Sequence, residues 1–262
     1  MNWNSLELEW RGPTAWVWMN RPERHNAFDE VLIGELTELL SRLDQESDAR
    51  VIVLAGRGKS FSAGADLAWM KRQGEATQTE NLEDARRLAR LFRLLAECGK
   101  PTIARVHGAG MGGGLGLAAA CDICLASESA VFATSEVRLG LIPSVISPYV
   151  VRAIGARQSH RYFQTGERIS AVRAREIGLV HEVSSPEKLD DLVQAVVDEL
   201  LCGGPSAQAA STRLIRDVTS RPVTEALIDV CAKGIAEVRS SPEAREGLNA
   251  FLEKRVPSWK DS

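Results

Sequence analysis

Arg105-Val106-His107-Gly108-Ala109-Gly110-Met111-Gly112-Gly113-Gly114 runs out of an apolar stretch, Thr102 to Val106, that reads as a buried strand. It continues into Leu115-Gly116-Leu117-Ala118-Ala119-Ala120, a small-residue segment that reads as a helix. Without a Cβ, glycine lets main-chain N–H groups approach a ligand, and a helix start leaves several of those donors unpaired with partial positive charge behind them. The spacing predicts a strand-to-helix turn whose backbone holds an oxyanion.

Outward from this turn the chain alternates strands and helices. Leu6, Leu8 and Trp10, followed beyond Gly12-Pro13 by Ala15 to Met19, read as a hairpin. Leu32, Ile33, Leu36, Leu39, Leu40 and Leu43 recur at helical spacing within Asp29 to Leu43. Val51 to Ala55 reads as a buried strand, and a helix is expected from about Leu82 to Ala96. Ile123 to Ala126 and Val131 to Ala133 read as short strands. From Ser147 the pattern turns almost wholly helical: 148–154, 157–165, 171–177, 189–202, 207–217, 223–237 and 244–252. The expectation is an α/β body over residues 1–190 and a helical region over 191–262 that is too small and amphipathic to stand alone.

A chain of 262 residues with 44% hydrophobic and 26% charged residues can bury a sizeable core. Its net charge of -3 supplies no global field for nucleic acid or an anionic membrane. Arg86, Arg87, Arg90 and Arg93 stand among Glu80, Glu83 and Asp84, which reads as a solvated face or a subunit contact. The longest apolar run, Gly108 to Cys121, falls short of the roughly 20 residues that cross a bilayer. Met1-Asn2-Trp3-Asn4 lacks the basic and apolar regions of an export signal, so a cytoplasmic protein with five reduced cysteines is expected. Cys121-x-x-Cys124 has no second pair, reads as two core residues, and leaves no metal expected. His107, His160 and His181 have no triad-like spacing.

Two glycine motifs must be answered. Gly108-x-Gly110-x-x-Gly113 matches a dinucleotide fingerprint and Glu128 stands near the acidic position, but the nine residues between Gly113 and Ile123 are few for a crossover helix with its return. Gly58-Lys59-Ser60 would be a phosphate loop only with glycine at Val53.

Four further segments carry a family likeness. Asn20-Arg21-Pro22-x-x-x-Asn26-Ala27, Phe61-Ser62-Ala63-Gly64-Ala65-Asp66-Leu67, the Gly112 run ending in Ala120-Cys121-Asp122, and Ser135-Glu136-Val137-Arg138-Leu139-Gly140-Leu141-Ile142-Pro143 occur in that order. With Phe251-Leu252-Glu253-Lys254-Arg255 near the end, the whole chain resembles the enoyl-CoA hydratase/isomerase (crotonase) family. The resemblance implies a spiral of ββα units and a C-terminal helical trimerisation region. The assembly would be a homotrimer or a dimer of trimers. The substrate it implies is an acyl-CoA, with no separate cofactor because coenzyme A is part of that substrate. It implies an oxyanion hole from the Ala65 and Gly113 amides and a catalytic Glu136. Substrate contacts would come from Ala63, Asp66 and Leu67 through main-chain groups on the adenine end, from Gly112, and from Arg24, His25 and a neighbouring subunit's Lys254.

Hydratases of this family commonly carry two glutamates, and here the first falls on Gly116. A single acid at 136 suits hydration of a 2-enoyl thioester or isomerisation of a 3-enoyl to a 2-enoyl thioester, and a non-catalytic acyl-CoA binder is the third alternative. The family's Pro-Gly-x-Gly-Gly-Thr becomes Pro143-Ser144-Val145-Ile146-Ser147-Pro148. Together with Gly116 this is similar to the bacterial methylglutaconyl-CoA hydratase branch. That likeness implies a branched, carboxylated thioester and leucine or terpene breakdown. A second protein carboxylate about 4 Å from a substrate carboxylate would repel it by roughly 4 kcal/mol at an effective dielectric near 20, so glycine at 116 is expected to remove that repulsion and make room. Arg138, two residues beyond Glu136, falls on the same strand face if the strand persists and would then pair with the substrate carboxylate; an outward-facing arginine is the equal alternative.

Overall fold

A computed structural model describes residues 3–219 and 221–260; Met1 and Asn2 of the N-terminal stretch lie outside the described residues. Along the chain run β1 (Leu6–Arg11), β2 (Thr14–Met19), α1 (Glu30–Gln45), β3 (Val51–Gly56), α2 (Leu67–Glu75) and α3 (Gln78–Ala96). Next come β4 (Thr102–Val106), β5 (Ala109–Met111), α4 (Gly113–Ala120), β6 (Ile123–Ser127) and β7 (Val131–Ala133). After these lie α5 (Ser147–Thr165), β8 (Ile169–Ser170), α6 (Ala171–Glu176) and β9 (Glu182–Ser184). Four helices close the chain: α7 (Leu189–Cys202), α8 (Pro205–Val218), α9 (Glu225–Arg239) and α10 (Pro242–Glu253).

The main sheet has six strands in the order β1-β2-β3-β4-β6-β9, parallel except for the β1–β2 hairpin. Every residue of β2 is buried, and the two-residue period of a strand divides them. Ala15, Val17 and Met19 join the core under α1, α3, α4 and α5, while Trp16 and Trp18 join a second core on the other face. Leu189, Val193 and Val197 of α7 close that second core, so the expected boundary at 190 falls inside a helix packed on the sheet. Each fully buried Leu, Val or Phe contributes about 1.5–3 kcal/mol, and both faces are filled with them.

The sheet strands and the long helices lie where periodicity puts them. Several short elements were not expected. Asp66 caps the unexpected helix α2 by accepting from the Ala68 and Trp69 amides. The helix expected near Leu82 begins at Gln78, where Thr77 and Glu80 form a capping box. The two stretches expected at 148–154 and 157–165 are joined in α5 across Gly155. The short strands β5, β8 and β9 are too brief for periodicity to register. Of α8, α9 and α10, only Leu227 and Ala250 are buried, and Ile215, Ile228, Ile235, Phe251 and Leu252 are exposed. Among the described residues no helix is long and apolar enough to cross a membrane.

Candidate active site

Beside the main sheet, short extended segments line up in parallel. Phe28 bridges Ala65, Ser62 bridges Gly110, and β5 pairs with β7 with Gly110 opposite Phe132. The segments that follow each of these pieces carry Asp66, then Gly112 and Gly113, then Glu136. They emerge together at the carboxyl ends of parallel segments, where parallel sheets leave a crevice for ligands.

The direction of the Ala65 amide follows from its peptide plane. The Gly64 carbonyl accepts from the Phe28 N–H at 2.7 Å, and in a trans peptide the N–H points away from the carbonyl. The Ala65 N–H is therefore turned away from Phe28. Gly113, the first residue of α4, has an amide with no helical acceptor. Among the described residues neither amide donates to a protein acceptor.

Phe28 also joins the two donors physically. A Cβ on Gly113 would lie 2.1 Å and 2.4 Å from Cε2 and Cδ2 of its ring, so only glycine fits there. Gly64 and Gly112 take φ of 90° and 48°, in the left-handed region that other residues avoid. A Cβ on Gly112 would stand 4.0 Å from the Gly64 Cα and 3.2 Å from Glu136 Oε1. The 64–65 peptide, the start of α4 and the Glu136 carboxylate thus border one small volume.

Glu136 lies in a 3-10 turn, Ser135–Leu139, and not on a strand. Its Oε2 is buried with no hydrogen-bond partner, and burial pushes its carboxyl above the usual range. The turn corrects the expectation for Arg138. In a 3-10 helix, residues two apart do not share a face, and the Arg138 Nε donates to the Thr165 carbonyl at 3.3 Å.

The space at Gly116 is also not what was expected. A Cβ there would meet Ile146 Cγ2 at 2.3 Å and Phe92 Cε1 at 3.0 Å, and both side chains are buried. Glycine at 116 therefore makes no room for a ligand carboxylate, because Ile146 and Phe92 fill the position.

The other expected residues divide into groups. Ala63 and Asp66 flank the 64–65 peptide, but their amides donate to the His25 and Phe28 carbonyls, and the Asp66 carbonyl accepts from Met70 N at 2.8 Å. Leu67 is exposed. Arg24 and His25 are exposed on the neighbouring loop, where the His25 Nδ1 lies 3.1 Å from Ser60 Oγ. Lys254 is exposed at the end of α10, a helix packed on α8 and α9. Arg21, Phe28 and Ile146 went unrecognised as site residues. Arg21 carries a signal as part of the Asn20-Arg21-Pro22 segment and Ile146 as part of the Pro143–Pro148 departure, whereas Phe28 carries none.

A family model described as enoyl-CoA hydratase/isomerase matches residues 12–262. The crystal structure of an enoyl-CoA hydratase from Shewanella pealeana superposes with a TM-score of 0.96 at 42% identity, covering 98% of this chain and 96% of that one. A Thermus thermophilus relative bearing an enoyl-CoA hydratase name is 34% identical, over 95% of this chain and 98% of its own length. The (E)-benzylidenesuccinyl-CoA hydratase of Thauera aromatica is 30% identical, over 97% of this chain and 98% of its own.

Proposed function

Because the chain belongs to the enoyl-CoA hydratase/isomerase family, we propose that it hydrates the 2,3 double bond of a branched, carboxylated enoyl-CoA such as 3-methylglutaconyl-CoA. The observation that carries this reading is the meeting of two unpaired amides, Ala65 and Gly113, with the buried, unpartnered Glu136 oxygen. The thioester oxygen accepts from both amides, which draws electron density off the double bond and leaves C3 electrophilic. Glu136, as the carboxylate, takes a proton from the attacking water as the hydroxyl joins C3. It returns that proton to C2 when the enolate collapses. One preorganised donor is worth roughly 3 kcal/mol to such an enolate. The step moves protons and no electrons, and coenzyme A enters only as part of the substrate.

The carboxylated substrate is supported by the likeness of the Pro143–Pro148 segment to the methylglutaconyl-CoA hydratases, and by a relative named for a succinyl thioester. The coenzyme A arm lies along 63–67, near Arg24 and His25. Lys254 reaches it from a neighbouring subunit of a trimer or dimer of trimers, an assembly supported by the exposed Ile228, Ile235, Phe251 and Leu252. A second reading, 3-enoyl to 2-enoyl isomerisation, is favoured by one observation. Ile146 and Phe92 close the second acid's position, and moving a proton between two carbons needs one acid.

Incubation with a panel of enoyl-CoAs, followed by mass analysis, tests the choice. A gain of one water supports hydration, a rearranged product of unchanged mass supports isomerisation, and binding without turnover would leave only an acyl-CoA binder. The amide pair has its own test. Gly113→Ala forces its methyl into the Phe28 ring and tilts the first amide of α4. In steady-state kinetics kcat is expected to fall about a hundredfold, the scale of one lost donor, with KM little changed.

A further inference from the structure

We propose that Arg21 is the positioning residue that aims the Ala65 amide; the inference rests on the hydratase/isomerase reading of the site. The plane carrying that N–H is held by the Phe28 amide on one side, and the next amide, Asp66 N–H, donates to the Phe28 carbonyl at 2.8 Å. The aim of the donor thus depends on where Phe28 sits. Arg21 grips both neighbours of Phe28. Its Nη1 donates to the Ala27 carbonyl at 2.6 Å, and its Nη2 lies 2.8 Å from Asp29 Oδ2.

The same Nη2 is 3.5 Å from Asp66 Oδ2, so one guanidinium ties the 27–29 segment to the residue after Ala65. Both carboxylates also cap helices. Asp29 accepts from Leu32 N at the start of α1, and Asp66 from Ala68 N and Trp69 N at the start of α2. Arg21 therefore sits where two helix N-termini and the amide-bearing segment are joined, with its side chain only 15% exposed. Burial opposes ionisation of Asp66, yet the Trp69 and Ala68 amides and Arg21 keep its carboxyl below the usual range. A lysine supplies one compact charge and cannot span a carbonyl and two carboxylates at once.

The test uses [1-13C]butyryl-CoA, a saturated thioester that cannot be hydrated, and reads its carbonyl infrared band when bound. In the wild-type protein the band is expected below its frequency in solution. In Arg21→Lys at least half of that displacement is expected to vanish. The variant's kcat should fall about tenfold, part of the loss that removing a whole donor causes, with KM nearly unchanged. Asp66→Asn keeps the α2 cap, since Asn caps as well as Asp, and removes the charge through which Arg21 reaches the segment after Ala65, leaving its pair with Asp29. It should move the band the same way, and it decides alone if Arg21→Lys does not fold. A folded variant whose band stays at the wild-type position overturns the role of Arg21. A wild-type band left at its solution frequency overturns the amide site itself, and with it the reading beneath this proposal.

Discussion

Glu136→Gln is expected to lower kcat by about a thousandfold, within the range for losing a positioned acid–base group, while acyl-CoA binding persists. The amide matches the carboxylate in shape but cannot take a proton from water. Burial raises the Glu136 carboxyl, and catalysis needs it ionised, so kcat/KM should fall on the acid side at a pH above the ordinary glutamate range and level off above it. The glutamine variant should lack that limb. Stability runs the opposite way. A carboxyl raised in the folded state makes the folded protein bind more protons than the unfolded one, so its cost is full above the raised value and is relieved as pH falls through it. At neutral pH the variant should melt at the wild-type temperature or higher. Turnover within tenfold of wild type would remove Glu136 from the chemistry.

The long elements were legible because their signals are local and repeated. Six apolar residues at helical spacing mark α1, and the run from Thr102 into the glycines marks the turn into α4. The site was legible only as separate segments. Nothing in the spacing of residues 28, 65 and 113 says that one residue meets the 64–66 segment with its backbone and Gly113 with its ring, because those contacts are set by the side-by-side packing of short extended pieces. Arg21 belongs to a motif, but the carboxylates it meets stand 8 and 45 residues away in the chain. Asp66 stands in a segment expected to meet a ligand through main-chain groups, and nothing in that expectation told of its carboxylate capping α2. Of the two readings open for Arg138, the shared strand face fails because five residues cannot tell a strand end from a 3-10 turn.

Gly116→Glu, which restores the family's second acid, is expected to cost the protein its fold before it adds any activity. Its Cβ would stand 2.3 Å from Ile146 Cγ2 and 2.9 Å from Ile146 Cβ, in a place where Phe92 is wholly buried. Overpacking of this kind costs about 1–3 kcal/mol, and a carboxylate left unpaired among apolar side chains adds several more, on the order of 2–7 kcal/mol. A loss beyond about 3 kcal/mol lowers the melting temperature by roughly 10 °C in a chain of this size. Thermal unfolding followed by circular dichroism reads it directly. The resemblance that reads 143–148 against Pro-Gly-x-Gly-Gly-Thr implies a glycine at the Ile146 position, and Ile146 is the side chain that a Cβ at 116 would meet. Ile146→Gly in the Gly116→Glu background should then recover most of the lost stability, and the pair should depart from additivity as touching residues do. A Gly116→Glu protein as stable as wild type would show that the position is open after all. Faster hydration in the single variant would show that one acid is a handicap there, whereas slow turnover in the rescued double variant fits a site whose proton transfers are arranged around Glu136 alone.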